Sequence, residues 1–219
     1  MKEHIIRSWE KNAAEWIRVI DNEQIASRKF TNKAILQILA ETPSDKVLDA
    51  GCGEGWLTRS LSAMGKTAVG IDIIRSLLEN ARAKGSESYY ALSFEAIMTG
   101  KPIPEARFDI AVFNFCLYKK DGLALLLANT KKAIRKDGFI IIQTLHPYFL
   151  IKNGYPYKSR SMENSWEGLP GNFKDGHSWY ARTLEDWISE ISESGTQLVE
   201  LQEINNAENY PVSVILKIR

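Results

Sequence analysis

Two acids each close a short apolar run, and three glycines at alternate positions follow the first of them in Val47-Leu48-Asp49-Ala50-Gly51-Cys52-Gly53-Glu54-Gly55. An amphipathic helix pattern begins at once, from Trp56. Physically this is a buried strand that stops, a tight turn able to hug a ligand, and a helix whose N-terminus points at that ligand. Glycine reaches positive φ and lacks the Cβ that would hold a ligand off the backbone. The second apolar run, residues 67–71, ends in Asp72. An ionised carboxylate there offers two acceptor oxygens to a pair of ribose hydroxyls, the duty of an acid closing the second strand in nucleoside-binding α/β folds. In isolation the glycine turn is also compatible with a purely structural strand-to-helix connection.

The wider arrangement is sharper. Val47-Leu48-Asp49-Ala50-Gly51-Cys52-Gly53-Glu54-Gly55, then Gly70-Ile71-Asp72, then Phe108-Asp109-Ile110-Ala111-Val112 resembles the class I S-adenosylmethionine (SAM)-dependent methyltransferases, over residues 46–145 and more loosely to the C-terminus. The resemblance implies an α/β fold with SAM as cofactor: a Rossmann-like parallel sheet with a C-terminal antiparallel strand, seven strands in all, and helices on both faces. It is specific for the cofactor and unspecific for the substrate. It implies that the backbone of Gly51, Cys52 and Gly53 holds the amino-acid end of SAM. Asp49 would meet the ammonium or orient the turn, Asp72 would accept both ribose hydroxyls, and Ile73 would cover one adenine face. Family members commonly place an acid after the third strand for the adenine amino group. Here Ser93 stands there, in Ala91-Leu92-Ser93-Phe94-Glu95, so Ser93 or the backbone of Phe94 is left to substitute. Asn114 and Phe115 would wall the transferred methyl, although Asn114 reads equally as a polar strand end. Leading helices that fold over the cofactor would bring Trp16 to the site and Arg28 to the SAM carboxylate. The residues alone read Trp9 and Trp16 as core and Arg28 as an exposed helix cation.

The elements that must position these groups follow from periodicity. Residues 3–20 carry Ile5, Trp9, Ala13, Trp16, Ile17 and Ile20 on one helical stripe, and residues 27–39 form a second helix. Trp56, Leu57, Leu61 and Met64 make a helix face ended by Gly65; Ile74, Leu77, Leu78 and Ala81 make another, ended by Gly85. Residues 88–92 form a short strand and 93–99 one or two helical turns; residues 108–115 read as a fully buried strand. Asp121 can cap a leucine-rich helix, with Lys131, Lys132, Arg135 and Lys136 near its negative end, before Asp137-Gly138 turns into a strand at 139–144. Thr183-Leu184-Glu185-Asp186 opens a last helix as a capping box with Asp in place of Glu or Gln, and Trp187, Ile188 and Ile191 face inward. Residues 197–204 and 212–218 lack a helix between them and should pair antiparallel. The organisation expected is one domain over 1–219: an N-terminal helical lid (1–41), a cofactor-binding core (46–145), a substrate cap (146–182), and a C-terminal helix and hairpin (183–219).

The cap segment breaks the pattern. Residues 146–182 have little periodicity but many aromatics, which favours an ordered cap over disorder. Tyr148, Trp166, Trp179 and Tyr180 supply apolar walls with polar tips, suited to a small organic acceptor. Methyl transfer is an in-line displacement on an activated carbon, so positioning can do much of the work. If a base is needed, His146 in Thr144-Leu145-His146-Pro147 is the first choice and His177 the second. Lysine plus arginine (28) nearly balance aspartate plus glutamate (27), leaving no basic field for nucleic acid. Two cysteines suggest a reducing compartment; with neither a signal-like start nor a long apolar run, a cytoplasmic protein with no membrane span is expected. Three histidines and two separated cysteines show no metal-ligand spacing. Two rivals stand: a non-catalytic binder of SAM or a related nucleoside, and an NAD-dependent oxidoreductase. The latter would want Gly-x-Gly-x-x-Gly, not glycines at 51, 53 and 55. The oligomeric state is not readable.

Overall fold

The computed structural model describes residues 2–219. Two helices, α1 (Lys2–Asp21) and α2 (Arg28–Glu41), precede β1 (Lys46–Ala50). There follow α3 (Trp56–Ala63), β2 (Thr67–Asp72), α4 (Arg75–Lys84), β3 (Ser88–Ala91), α5 (Phe94–Met98), β4 (Phe108–Asn114), α6 (Leu123–Lys131) and β5 (Ile134–Leu145). The cap region holds α7 (Tyr148–Lys152), β6 (Arg160–Met162) and β7 (Trp179–Ala181); α8 (Leu184–Glu193), β8 (Leu198–Asn205) and β9 (Pro211–Ile218) complete the chain. The main sheet has seven strands in the order β3-β2-β1-β4-β5-β9-β8, and β6 and β7 form a separate antiparallel pair. Strands β1 to β5 pair in parallel, and β9 runs antiparallel to both neighbours. The reversed strand is therefore inside the sheet, not at its edge.

Burial on both faces explains the continuous apolar strands. Leu123, Leu126 and Leu127 of α6 pack with Trp187 and Ile191 of α8 on one face, against Leu48, Ala111 and Phe113. Ile35, Ile38 and Leu39 of α2 and Leu57 and Leu61 of α3 cover the other, against Val47, Ile110 and Val112. Three local expectations change. Met64 and Ile188 are exposed, lying off the buried stripes of their helices. Asp121 does not cap α6: Gly122, at φ 88, is the N-cap, because a left-handed turn precedes the helix and a Cβ there would meet Met98. Arg135 and Lys136 belong to β5 rather than to the end of α6, and the strand pairing shifts register across Gly138. A Cβ on Gly138 would lie 2.3 Å from Asp109 O, so only glycine lets the strands close over this irregularity.

Chain order reverses between β1 and β4, because β2 and β3 run outward one way and β4 and β5 the other. That switch opens a crevice beyond the carboxyl ends of the two strands, where open α/β sheets bind ligands.

Candidate active site

The crevice is floored by the glycine turn after β1. Gly51, Gly53 and Gly55 all adopt positive φ, at 77°, 55° and 83°. Two of them are glycine for packing: a Cβ on Gly51 would lie 2.6 Å from Cys116 Cβ, and one on Gly55 2.6 Å from Tyr89 Oη. Gly53 is different, since its Cβ direction is open, with Leu77 the nearest neighbour at 3.9 Å. The turn consumes its own donors. Gly51 N and Cys52 N both donate to Ile71 O at 2.8 and 3.0 Å, and Gly53 N donates to Asp72 Oδ2 at 2.9 Å. The amide N–H groups of Gly51, Cys52 and Gly53 are thus already engaged, which leaves this surface less suited to an anion than to a cation.

Buried acids reinforce that polarity. Asp49 is 1 % exposed and accepts a hydrogen bond from Thr58 Oγ1 at 2.7 Å. Burial pushes its carboxyl up to about 7, the neighbouring Asp72 and Glu54 adding to the shift against the Thr58 bond. Glu54, equally buried, pairs through Oε2 with Arg59 at 2.8 Å and leaves Oε1 without a partner. Arg28, at the start of α2, lies over the Trp56 ring at 4.7 Å, and burial holds its guanidinium below the usual range. It is half-buried rather than fully exposed, and no acid among the described residues forms an ion pair with it. Asp72 turns back into the chain: besides Gly53 N, its Oδ1 accepts from Ile73 N at 2.6 Å and Ile74 N at 2.9 Å. Burial raises its carboxyl and these three donors oppose the rise. Ile73 beside it remains 36 % exposed.

Farther along the strand ends, Ser93 caps α5 by accepting from Ala96 N at 3.2 Å. Phe94 stacks edge-on against Phe113 at 5.6 Å and reaches the glycine turn beside Gly51. Asn114 ends β4 with Oδ1 buried and unpartnered. Phe115 holds φ 51°, uncommon for a bulky residue; its N donates to Gln143 O and its O accepts from Tyr118 Oη at 2.6 Å. Cys52 and Cys116 are free thiols that burial pushes well up, and Cys116 Sγ sits 3.1 Å from Ala50 O.

Helix α1 covers this crevice. Glu10 accepts from Arg75 N at 2.7 Å and Ser76 Oγ at 2.6 Å, closing the N-terminus of α4, while Asp21 pairs with Lys84 at its other end. Ala13, Ile74 and Leu77 fill the seam between the two helices. The opposite side of α1 binds residues 164–177. Asn12 both donates to Lys174 O and accepts from Lys174 N, Glu15 accepts from Asn172 N, and Ser8 accepts from Trp166 Nε1 at 3.0 Å. Trp16 and Trp9 meet edge to face at 5.2 Å, and Trp9 meets Trp166 at 4.7 Å.

Of the expected acceptor contacts, Trp166 is 6 % exposed and locks the cap to α1 instead of facing a ligand. Trp179 packs on Phe149 at 5.3 Å; Tyr180 N donates to Tyr118 O; and Tyr148 stacks on Tyr210. These residues are thus spread over three contacts rather than gathered on one wall. His146 has both ring nitrogens engaged: Nδ1 accepts from Tyr148 N at 3.0 Å and Nε2 faces Glu203 Oε1 at 2.8 Å. With Nδ1 an acceptor, Nε2 carries the proton, and no lone pair is left for a substrate. Neither Glu10 nor Tyr118 stands out in the sequence, and His177 is only the second choice there. In the fold His177 is fully buried beside Tyr118. No cluster of metal-ligating side chains occurs among the described residues, and no described helix is long and apolar enough to cross a membrane.

Comparison with known proteins agrees with this geometry. The chain is 23% identical over 156 residues to the demethylmenaquinone methyltransferase of Tropheryma whipplei (strain Twist), covering 71% of this chain and 65% of that protein. It is 29% identical over 124 residues to the malonyl-[acyl-carrier protein] O-methyltransferase of Hamiltonella defensa, covering 56% and 47%. The chain thus spans from about half to just under two thirds of these relatives' lengths. Among solved structures it is similar to the 1,6-didemethyltoxoflavin-N1-methyltransferase of Burkholderia thailandensis, with a TM-score of 0.70 and 19% identity, covering 100% of this chain and 88% of that one. The methyltransferase-domain family matches residues 17–201, and the chain belongs to that family.

Proposed function

We propose that this protein is a SAM-dependent methyltransferase acting on a small organic acceptor. The observation that carries the reading is the glycine turn: an open Cβ position at Gly53, amide donors already engaged within the turn, and a buried Asp49 without a cationic partner. SAM presents an ammonium, a carboxylate, two ribose hydroxyls and an adenine, and supplies an activated methyl on positive sulfur. Asp49 and the turn suit the ammonium, and the half-buried Arg28 suits the carboxylate. Asp72 retains lone-pair capacity for a ribose hydroxyl beyond its three backbone donors. Ile73 offers an exposed apolar face to adenine, with the Phe94 backbone or Ser93 at the far edge. Trp16 closes the crevice from α1.

The chain's own contribution to chemistry is then positioning and exclusion of water by α1 and the cap. Asn114 and Phe115 stand beside the reacting methyl, and His146 orients α7 rather than moving a proton. Two of the relatives are named for methylating demethylmenaquinone and 1,6-didemethyltoxoflavin, in keeping with a small organic acceptor. Balanced charge argues against nucleic acid, and the free thiols fit a cytoplasmic setting. Residues 1–41 serve as lid, 46–145 as cofactor core, 146–182 as acceptor cap and 183–219 as support. Titration with SAM, S-adenosylhomocysteine and NAD tests the reading. Micromolar binding of the first two and none of NAD is expected, with release of S-adenosylhomocysteine on an acceptor panel separating an enzyme from a passive binder. Binding of NAD alone would overturn it.

A further inference from the structure

One stretch of the chain, running from β5 into the cap, carries charge of a single sign. No Asp or Glu occurs between Asp137 and Glu163, whereas Lys152, Lys158 and Arg160 all fall in that interval. Lys158 and Arg160 line a groove of about 400 Å³ together with Pro156, Ser159 and Ser161, so the five residues border one space. Arg160 opens β6, opposite Ala181 of β7, and its guanidinium lies over the Tyr155 ring at 4.5 Å. Stacking engages the guanidinium by its face and leaves the in-plane N–H groups available along its edges. Ser159 Oγ accepts from Thr183 N at 2.9 Å, which ties this wall of the groove to the N-cap of α8. Neither Lys158 nor Arg160 forms an ion pair with an acid among the described residues, and Ser161 Oγ makes no hydrogen bond to them.

Two cations on one groove, neither paired with an acid, favour an anion that brings two charges. The donors also differ in shape: a planar fork on Arg160, a rotatable ammonium on Lys158 and a hydroxyl on Ser161. A carboxylate offers two oxygens in one plane, which the Arg160 fork alone can satisfy. A tetrahedral phosphate offers three, one for each kind of donor. We propose that this groove is a binding site for a phosphate dianion. Its second strand leads back to the crevice, because Tyr180 N of β7 donates to Tyr118 O in the loop after β4. Where the methyltransferase reading is taken as its basis, the dianion is a phosphate monoester group on the methyl acceptor, gripped by the cap. Inorganic phosphate is the other source of the same chemistry.

Phenyl phosphate and inorganic phosphate are titrated by calorimetry into the full chain at low salt and about pH 8, where both are dianions, with benzoate as the planar monoanion control. Saturable binding of phosphate is expected, at least about fivefold tighter than benzoate. Arg160→Gln and Lys158→Gln should each weaken it at least about fivefold, while Lys152→Gln, which removes an exposed cation outside the groove, should change it by no more than about twofold. In the parent protein the backbone amide resonances of Ser159, Arg160 and Ser161 should shift on addition of the phosphate, a readout that needs no variant to fold. Tighter binding of phenyl phosphate identifies an organic monoester as the ligand; equal or tighter binding of inorganic phosphate identifies the free ion. Benzoate binding as tightly as phosphate, no saturable binding of either phosphate, an equal loss in Lys152→Gln, or undiminished binding in both groove variants overturns the proposal. S-adenosylhomocysteine, titrated into the same proteins, should bind all of them alike. Its failure to bind the parent would remove the methyltransferase reading and leave the phosphate titrations to decide the groove by themselves.

Discussion

The two halves of the crevice are built from different materials. On the β1–β2 side, one contiguous stretch makes the site out of backbone: three positive-φ glycines, a turn that consumes its own N–H groups, and an acid held by three main-chain donors. On the β4 side, three segments distant in sequence contribute side chains to an aromatic cluster: Trp9 and Trp16 from α1, Tyr118 from the loop after β4, and Trp166, Phe173 and His177 from residues 164–177. A backbone-built site tolerates almost no change of residue type at its turn, whereas a side-chain-built site can be re-cut without disturbing the strand beneath it. The structure thus pairs a backbone-built surface whose residue types are fixed by its turn with a side-chain-built surface that can be varied.

The sharpest test of the backbone half is Gly53→Val. The open Cβ direction means that the fold should lose only about 1–3 kcal/mol from backbone strain, while SAM affinity should fall at least about a hundredfold. Gly51→Val, whose Cβ would overlap Cys116, should instead lower the melting temperature sharply before any binding is measured. Normal SAM affinity in folded Gly53→Val would falsify the assignment of the turn to the cofactor.

Trp166→Ala comes next. Losing a buried indole should cost about 3–5 kcal/mol, roughly 10 °C in melting temperature for a chain of this size. Because Trp166 anchors the cap to α1, SAM affinity should fall together with turnover, and the two halves are then coupled through the lid. Trp179→Ala, packed only on Phe149 among the ring contacts described, should raise the acceptor KM and leave SAM affinity within a few-fold. If Trp166→Ala spares SAM binding, the lid belongs to the acceptor alone.

Asp72→Ala removes an acceptor from three main-chain donors and from the proposed ribose. Calorimetry should read a loss of about 1.5–3 kcal/mol in SAM binding, tenfold or more. An unchanged affinity would leave Asp72 with the turn alone.

Asp49 makes the backbone half pH-sensitive. Its folded carboxyl is raised to about 7, so the unfolded chain ionises first as pH rises, and the free protein loses stability from about pH 4 up to about 7. His177, held down to about 4, acts oppositely, costing stability as pH falls below about 6.5. An ammonium beside Asp49 favours its ionised form, so SAM should bind more tightly as pH rises toward 7, by up to about tenfold per pH unit, with a proton released near pH 6.5. Calorimetry in buffers of different ionisation enthalpy reads that proton; Asp49→Asn should abolish the release.

The smallest effect is expected for His146→Ala: about 0.5–1.5 kcal/mol of stability from the lost bond to Tyr148 N, and no change in the pH slope of kcat. A steeper acid limb would restore His146 as a base.

Much of the backbone half was legible before any coordinates, because strand, turn and helix lie in one run of sequence and glycine spacing states its φ requirements directly. Thr183 as a cap and the antiparallel β8–β9 pairing were legible for the same local reason. The side-chain half was not. Nothing in local periodicity shows that Glu10 closes the start of α4 or that Asn12 holds Lys174, since each depends on segments far apart in the chain. His146 misled for a related cause: its position after β5 marks it as near the site, but its bonds to Tyr148 and Glu203 are visible only in three dimensions. Ile188 and Met64 were assigned inward because an apolar residue next to a buried stripe has the same letter whether or not it lies on it.

The reversed direction of β9 has a practical corollary. Ser213 pairs with Leu145 at the ligand end of the sheet, whereas Ile218 pairs with Ile140, and Arg219 exchanges backbone bonds with Gln197 at the opposite pole. An anchor attached through Arg219 therefore leaves the molecule pointing away from the crevice, while one attached ahead of α1 loads the helix that roofs it. Surface immobilisation through Arg219 should preserve ligand access, and the same binding assay on protein tethered ahead of α1 should register slowed exchange.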